Sequence, residues 1–345
     1  MQLPLKLSKD DGIHWNLNKA MSYDPHLILV MAGRGIGKTT AGALACMSAV
    51  EKGGKFIFGR RYATEQEEIA DKDIFGGVLE GVTYKNHKGI YTYLYGDLLL
   101  GWGVPLSKSR AIKSLTQLEQ VSLIVLDEMF VRPSGTYRYL NNEVEGCTLE
   151  MLSTVERTRP GNSVRMIIMG NNEDLFNPYM EYWKVPPFEF NYFDKDRGLY
   201  VEKPKHSEAL LELEKKTGLY KLTQGTNYFN YHYDNAVLGS IQCKTIPKPA
   251  QAKLFCRFIL NENTLNIYTW YTSQGSSRIF IECKPKIILD NTTYIIMQSG
   301  QWNYYYIKLY TARMKNWFSS FYYNENIDYG DQKAADMTAW IMEEI

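Results

Sequence analysis

No apolar run in this chain is long enough to cross a membrane. The longest, Leu27–Ala32, is far short of the roughly 18 residues that a spanning helix needs. Net charge is almost absent, since 39 Lys and Arg stand against 38 Asp and Glu for a formal +1. That balance excludes a globally basic nucleic-acid binder and leaves only local patches for such contacts. Cysteine is scarce and poorly placed: Cys46, Cys147, Cys243, Cys256 and Cys283 are odd in number, widely spaced and without a CxxC pair. A disulfide framework and a zinc knuckle are thereby excluded, and thiols serving as small core residues in a reducing cytosol are expected. The histidines (His14, His26, His87, His206 and His232) form no HExxH or Cys/His pattern, so no imidazole metal site is expected. The opening residues MQLPLKLSKDDG lack a long apolar h-region and a small-residue cleavage site, so no signal peptide is expected. There is no internal repeat and no low-complexity tract.

What is present is enough apolar material for sizeable cores. Hydrophobic residues make up 45% of 345 and the mean hydropathy is −0.34, which excludes a mostly disordered chain and a multispanning one. At roughly 150 residues per domain the length suggests two domains. Over the first 200 residues, apolar runs alternate with helical stretches. Leu27–Met31, Lys55–Gly59, Leu123–Leu126 and Val164–Met169 read as buried strands. Gly37–Lys52 reads as a helix, and Tyr91–Leu100 as an antiparallel pair turning at Tyr95-Gly96-Asp97. Buried strands separated by helices predict an α/β domain whose parallel sheet is covered on both faces. The pattern changes near Pro204, where Ser207–Thr217 reads as a short amphipathic helix with charges on one side. From about Tyr231 the chain turns aromatic, with 21 of its 47 aromatic residues in the last 115 positions. Strand-like runs at Lys253–Leu260, Leu265–Tyr271, Ile279–Cys283 and Tyr294–Gln298 predict a second, α+β domain. The expected division is residues 1–203 as the first domain, 204–230 as a helical linker and 231–345 as the second domain.

The first apolar strand runs directly into Ala32-Gly33-Arg34-Gly35-Ile36-Gly37-Lys38-Thr39. From Gly37 onward this satisfies the phosphate-binding pattern G-x-x-x-x-G-K-[ST], with Ala32 where the first glycine belongs. Phosphate oxygens must be met by several inward-turned backbone N–H groups, which favours residues without a Cβ. The helix that follows points its positive dipole end at the same place. Gly33, Arg34, Gly35, Ile36, Gly37, Lys38, Thr39 and Thr40 are therefore the candidate ATP-binding residues. Lys38 reaches the β- and γ-phosphates and Thr39 ligates Mg²⁺.

A second motif closes a later strand. Ser122-Leu123-Ile124-Val125-Leu126 ends in Asp127-Glu128, at the C-terminal tip where open α/β sheets place their chemistry. Asp127 is the candidate Mg²⁺ ligand. Glu128 is the candidate catalytic residue, polarising a water for attack on the γ-phosphate. Lys55–Gly59 intervenes between the two motifs. An extra strand with a catalytic glutamate is the mark of the additional-strand class of P-loop ATPases, many of which are ring-forming motors.

Several segments together resemble one family: Ser22–Asp24 before the loop, the loop itself, Phe56–Tyr62, Gly101–Ser107, the Asp127-Glu128 strand and Ser153–Arg159. They look like the genome-packaging ATPases of small podophages of the phi-29 group, and the resemblance continues more weakly through Asn177–Tyr179 into the aromatic second domain. It implies a homo-oligomeric ring of five subunits at the portal of a procapsid, hydrolysing ATP to pull double-stranded DNA inward. It also implies a ribonuclease-H-like second domain without nuclease activity. The expected place of action is the host cytoplasm, attached transiently to the portal vertex, with no membrane contact and no place in the mature virion. Whether an RNA scaffolds the ring is left open.

Further residues follow from that expectation. A ring motor needs a cation delivered to the γ-phosphate by a neighbouring subunit, worth roughly 10³–10⁵ in rate. Arg157 matches the family position for such a catalytic finger, and Arg159 is its local rival. Arg34 resembles the arginine common in the loops of packaging motors. Tyr23 is a candidate for covering adenine with its ring face, against plain core packing. Asn171, at the end of the Val164–Gly170 strand, sits where a γ-phosphate sensor amide belongs, against a simple turn asparagine. For DNA, Lys108, Arg110 and Lys113 put three cations within six residues, with small and hydroxyl residues between. Contacts of that kind go to phosphate and are blind to sequence. Arg60-Arg61 is a second basic candidate, at a subunit contact or near phosphate.

Two other readings compete. A large-terminase subunit would carry an active nuclease in the second domain, which needs three or four carboxylates converging on two metals. Lys253–Leu260 carries none, and Asp234, Glu262, Glu282, Asp290 and Asp328 are scattered. A nucleotide-gated assembly protein with little turnover would have no use for Glu128. Tyr304-Tyr305-Tyr306 and Trp317-Phe318 have the chemistry to stack bases, with core packing as the alternative use.

Overall fold

Three of the apolar runs are covered on both faces, as a parallel sheet demands. All residues of β1 (Leu27–Ala32) and β2 (Lys55–Gly59) are buried, and β6 (Val121–Leu126) has a single half-buried residue. The computed structural model describes residues 2–7, 10–131, 139–157, 159, 164–172, 177–186, 190–233, 245–260, 263–286, 288, 293–295 and 316–344. By internal contacts the chain divides into two units. One comprises Met1–Val131, Glu143–Glu173 and Glu181–Leu238, and the other Arg132–Asn142, Asp174–Met180 and Gly239–Ile345. The helices Glu208–Glu214, Gly218–Thr223 and Asn227–Tyr233 belong to the first unit.

The first unit is built on a nine-stranded sheet. Its remaining strands are β3 (Val82–His87), β4 (Ile90–Tyr95), β5 (Leu98–Gly103), β7 (Arg165–Asn171), β8 (Asn191–Asp194) and β9 (Leu199–Glu202). The order is β3-β4-β5-β2-β6-β7-β1-β9-β8. From β5 to β9 every pairing is parallel. β3, β4 and β8 are antiparallel additions at the two edges. The expected hairpin at Gly96 is the β4–β5 pair. Neither β3 nor β8–β9 announces itself in sequence: β3 (VTYKNH) is a polar edge strand with no residue buried, and β8 and β9 have four residues each.

The sheet order corrects one expectation. Lys55–Gly59 intervenes only in sequence. In space β2 lies on the far side of β6, and the strand between β1 and β6 is β7. The additional strand of this P-loop NTPase fold is therefore Arg165–Asn171. Parallel strands need crossover connections, so sequence order does not dictate spatial order. The consequence for the site is direct. β1, β2, β6 and β7 all run the same way, and their C-terminal ends share one edge of the sheet.

The second unit holds a five-stranded sheet. β10 (Lys253–Leu260), β11 (Asn263–Tyr271) and β12 (Ser277–Lys284) form an antiparallel meander. β13 (Thr293–Ile295) is parallel to β10, and β14 (Ile327–Tyr329) is parallel to β12. The C-terminal helix Gln332–Glu344 packs its Ala334, Ala335 and Met337 on this sheet with Phe318 and Tyr329. Trp317 lies against Phe255 and Phe321, so Trp317 and Phe318 are part of the core packing. Tyr304–Tyr306 lie outside the described residues. Cys46, Cys147, Cys256 and Cys283 are free thiols, and Cys243 lies outside the described residues.

Candidate nucleotide site

Ala32 is the last residue of β1, fully buried and paired with Asn171 on β7. It is strand rather than loop, so the missing first glycine of the motif costs the turn nothing. The glycines that the turn does need are Gly35 and Gly37, with φ of +84° and +95°. A side chain at either would be strained by its clash with the backbone. Gly37 is the N-cap of the helix Lys38–Glu51, which begins at Lys38. The first turn of that helix directs N–H groups to the sheet edge. Ile36 is buried against Ala32 and Leu210, which anchors the loop, while Arg34 and Thr40 are exposed.

Lys38 folds back over the loop. Its Nζ donates to the Ala32 carbonyl at 3.0 Å and the Gly33 carbonyl at 2.6 Å. The Thr39 hydroxyl donates to Asp127 Oδ2 at 2.9 Å, so the two sequence motifs meet. Asp127 is completely buried, and its Oδ1 has no hydrogen-bonding partner among the described residues. An orphaned buried carboxylate oxygen is costly unless a cation meets it. A hydroxyl beside it completes a hard-oxygen donor pair, which is what Mg²⁺ takes from protein alongside substrate phosphates. The residues present fit that ion.

Glu128 departs from the strand. The Asp127 N–H still bonds to the Gly59 carbonyl on β2, and the Met129 N–H bonds to the Met169 carbonyl on β7. Between them Glu128 adopts φ +55°, a left-handed conformation that costs a non-glycine residue on the order of 1 kcal/mol. The turn re-aims its side chain, which is 49% exposed while that of Asp127 is 0%. Adjacent carboxylates thus occupy different environments, one sealed for a metal and one open to water.

Arg60 joins them. From the end of β2 its Nη2 donates to Asp127 Oδ2 at 3.3 Å and Glu128 Oε1 at 3.1 Å. Gln66, buried in the helix Ala63–Asp71, accepts the Arg60 N–H at 3.0 Å and fixes the start of that turn. Arg61 goes elsewhere: its Nε donates to Glu143 Oε2 at 2.7 Å and its Nη2 to Glu143 Oε1 at 3.1 Å, with both side chains buried. Nη2 of Arg61 also donates to the carbonyl of Met129. The sequence marked this arginine pair as a basic candidate at a subunit contact or near phosphate, without linking Arg60 to Asp127 and Glu128. The available signal was its position one residue past a buried strand parallel to the Asp127 strand.

The other predicted residues are placed as follows. Asn171 closes β7 beside the phosphate loop and is half-buried. Tyr23 stacks on Tyr200 at 5.2 Å and tilts on Phe193 at 5.0 Å, with part of its ring exposed. Arg157 is exposed at the C-cap of the helix Glu150–Glu156. Arg159 donates to the carbonyls of Leu118 and Val121 at the start of β6. Lys108, Arg110 and Lys113 lie on the 3₁₀ turns of Leu106–Ser114. Arg110 and Lys113 are exposed, whereas Lys108 Nζ donates to the Lys88 carbonyl at 2.7 Å. In the second unit, Glu282 accepts from Tyr268 at 2.8 Å and Asn266 at 3.2 Å. Asp328 takes a two-point ion pair from Arg278. Asp234, Glu262 and Asp290 lie outside the described residues.

Known proteins resemble the chain as follows. The profile of the podovirus DNA encapsidation protein (Gp16) family matches residues 9–325. The DNA packaging proteins of Bacillus phages phi29 and PZA are each 30% identical over 264 residues, 75% of this chain and 76% of theirs. The chain aligns with a solved chain of the bacteriophage phi-29 viral genome packaging motor assembly at TM-score 0.63 and 22% identity, over 96% of this chain and 99% of that one. The Phi-28 gp11 DNA packaging motor gives TM-score 0.57 at 15% identity, over 98% of each chain.

Proposed function

The chain belongs to the podovirus DNA encapsidation protein (Gp16) family, and from that premise we propose that it hydrolyses ATP to drive double-stranded DNA through a portal into a preformed capsid. The observation that carries this reading is the convergence of Lys38, Thr39, Asp127, Glu128 and Arg60 at one edge of the sheet. Glycine backbone and Lys38 take the phosphates, Lys38 exchanging its two carbonyl acceptors for phosphate oxygens. Thr39 and Asp127 would hold a magnesium ion, which supplies charge neutralisation to the phosphates. Glu128 accepts a proton from the attacking water, a contribution of typically 10²–10⁴-fold. Arg60 holds the glutamate at its station.

The position of Arg157 supports a ring. The neighbouring Glu156 lies 3.5 Å from His26 Nε2, and His26 immediately precedes β1. The phosphate loop is at the other end of that strand, six residues away, or about 20 Å at 3.3 Å per residue. That separation favours a finger delivered to the next subunit over one serving its own nucleotide. We assign the portal, double-stranded DNA and a homo-oligomeric ring of five as the partners on this reading. Arg110 and Lys113 are the cations offered to DNA phosphates.

The test is phosphate release with and without double-stranded DNA, on wild type and Glu128→Gln. The expected result is DNA-stimulated turnover in the wild type, and nucleotide binding without turnover in the variant. Undiminished turnover in Glu128→Gln defeats the assignment.

A further inference from the structure

Three side chains spread over 26 positions of sequence meet beside the phosphate loop: His206 in the segment before the helix Glu208–Glu214, Glu214 at the end of that helix, and His232 in the helix Asn227–Tyr233. One donor atom from each lies within 4.8 Å of the others. His206 Nε2 is 3.5 Å from Glu214 Oε2, and His232 Nε2 is 3.8 Å from Glu214 Oε1. We infer that His206, Glu214 and His232 form a binding site for a divalent transition-metal ion of the zinc class, separate from the magnesium site at Thr39 and Asp127.

The geometry suits that ion closely. Zinc–nitrogen and zinc–oxygen bonds of 2.0–2.2 Å at tetrahedral angles put neighbouring donors about 3.4 Å apart. The two histidine–carboxylate separations, 3.5 and 3.8 Å, are within a few tenths of an ångström of that, and the whole set lies within 4.8 Å. Two imidazoles and one carboxylate also match zinc's ligand preference, with a fourth position left to water. The second observation is independent of the spacing. The His206 side chain is 1% exposed, and among the described residues it meets the Arg34 backbone and the Glu214 carboxylate at 3.5 Å. No hydrogen bond of closer geometry reaches Glu214 Oε2 or His232 Nδ1 among those residues. Buried polar atoms are nearly always well satisfied, and this cluster is only loosely so, which suits it to a ligand.

Position gives the site its consequence. A Cβ built on Gly33 would lie 2.6 Å from the His232 carbonyl and 3.3 Å from His206 Cε1, and one on Gly35 would lie 3.4 Å from Glu214 Oε1. The three ligands come from three successive pieces of the 206–233 segment. An ion there staples that segment to itself and braces it against the loop that takes phosphates. The site is read by metal binding without nucleotide, so its failure and the failure of the ATPase reading are distinguishable.

The test uses the purified full chain, stripped of metal and free of nucleotide, titrated with Co²⁺ and then Zn²⁺. The expected result is one equivalent of Co²⁺ with the visible absorption of a four-coordinate site, displaced by Zn²⁺. Zinc is expected to raise the thermal midpoint of the wild type, as any ligand of the native state does. Glu214→Gln preserves shape, so it keeps the fold while lowering affinity at least tenfold and removing the zinc-dependent rise. His206→Ala is expected to act in the same direction, with circular dichroism confirming that it is folded. Absence of a bound equivalent overturns the site, and so does binding that Glu214→Gln leaves unchanged, which would move the metal to the cysteines or the magnesium residues.

Discussion

Thr39 Oγ1 and Asp127 Oδ2 stand 2.9 Å apart across 88 positions of sequence. The bond spends one oxygen of a fully buried carboxylate on the phosphate-loop hydroxyl and leaves the other without a partner among the described residues. On the proposed reading, a metal ion would be shared by that carboxylate and the hydroxyl. Thr39→Ser keeps the hydroxyl and is expected to retain most of the Mg²⁺-dependent turnover. Thr39→Val keeps the shape without the hydroxyl. Its apparent Mg²⁺ affinity is expected to fall at least by the 10–100-fold that loss of a mere supporting residue costs. A magnesium titration of phosphate release checks the pair, and equal magnesium requirements in both variants would count against shared ligation.

Arg60 spans Asp127 and Glu128 with one guanidinium nitrogen. Its removal leaves two carboxylates side by side without their cation, and frees a glutamate that already sits in a left-handed turn. Arg60→Ala is expected to lower kcat at most by the roughly 10²–10⁴-fold that an aligned general base contributes. ATP affinity is expected to change much less, because Arg60 does not belong to the loop that takes phosphate. Arg60→Lys recovers only part of the rate, since a point charge replaces a planar fork. Steady-state kinetics with a nucleotide-binding assay separates the effects, and an equal loss in both quantities would mean that Arg60 acts on binding instead.

The parts legible in sequence are those with local chemistry. Lys38-Thr39 and Asp127-Glu128 are visible because glycine freedom and an acidic strand exit leave a mark in neighbouring residues. The parallel strands β1, β2, β6 and β7 are visible because double burial makes them apolar throughout, whereas β9 is too short to stand out. The order of those strands is not, and so β7 occupies the gap that β2 had been expected to fill. Arg60 was noticed without its role, because the carboxylates it meets come from a strand 61 positions later in the chain, with β6 starting at Val121. The histidine cluster was invisible for the same reason, since no spacing rule links His206 to His232. β3 and β8 escaped because edge strands that are short or polar carry no alternation to detect.

Arg61 and Glu143 form a buried two-point ion pair that also fixes the Met129 carbonyl, next to the catalytic turn. Breaking such a pair from one side leaves an uncompensated buried charge and costs about 3–5 kcal/mol. Glu143→Ala is expected to show a loss of that size in denaturant unfolding, with turnover falling as Met129 loosens. Combining it with Arg61→Met removes both charges and is expected to recover much of the stability. A double variant as unstable as the sum of the two single variants would show that the pair is not the source.

The proposed DNA contact would have a salt signature. Each phosphate contact to duplex DNA contributes about −0.9 to the slope of log affinity against log salt. Lys108 is engaged by the Lys88 carbonyl, which leaves Arg110 and Lys113 as the exposed cations of the segment. Arg110→Ala with Lys113→Ala is expected to flatten the slope by about 2 units and weaken binding uniformly across DNA sequences. Adding Lys108→Ala is expected to change the slope little further. An unchanged slope in the double variant would move the DNA surface elsewhere.

Arg157 and Arg159 are two residues apart and have opposite environments, so their variants should fail in opposite ways. Arg159 donates to the carbonyls of Leu118 and Val121. Arg159→Ala strips those carbonyls of donors and is expected to cost about 1–3 kcal/mol of stability, with turnover per folded molecule largely kept. Arg157 is exposed at the sheet end remote from its own phosphate loop. Arg157→Ala is expected to leave the thermal midpoint and ATP binding unchanged while DNA-stimulated turnover falls by 10³ or more, the scale of a lost finger. Mixing decides between cis and trans action. If each Arg157 serves its neighbour, Arg157→Ala subunits silence the wild-type sites beside them, while Glu128→Gln subunits still offer an intact finger to theirs. Mixed rings made with either variant at the same ratio should therefore lose activity through different subunits. Adding Glu128→Gln to inactive Arg157→Ala should restore some turnover, because each supplies what the other lacks. No restoration in that mixture would assign Arg157 to its own subunit.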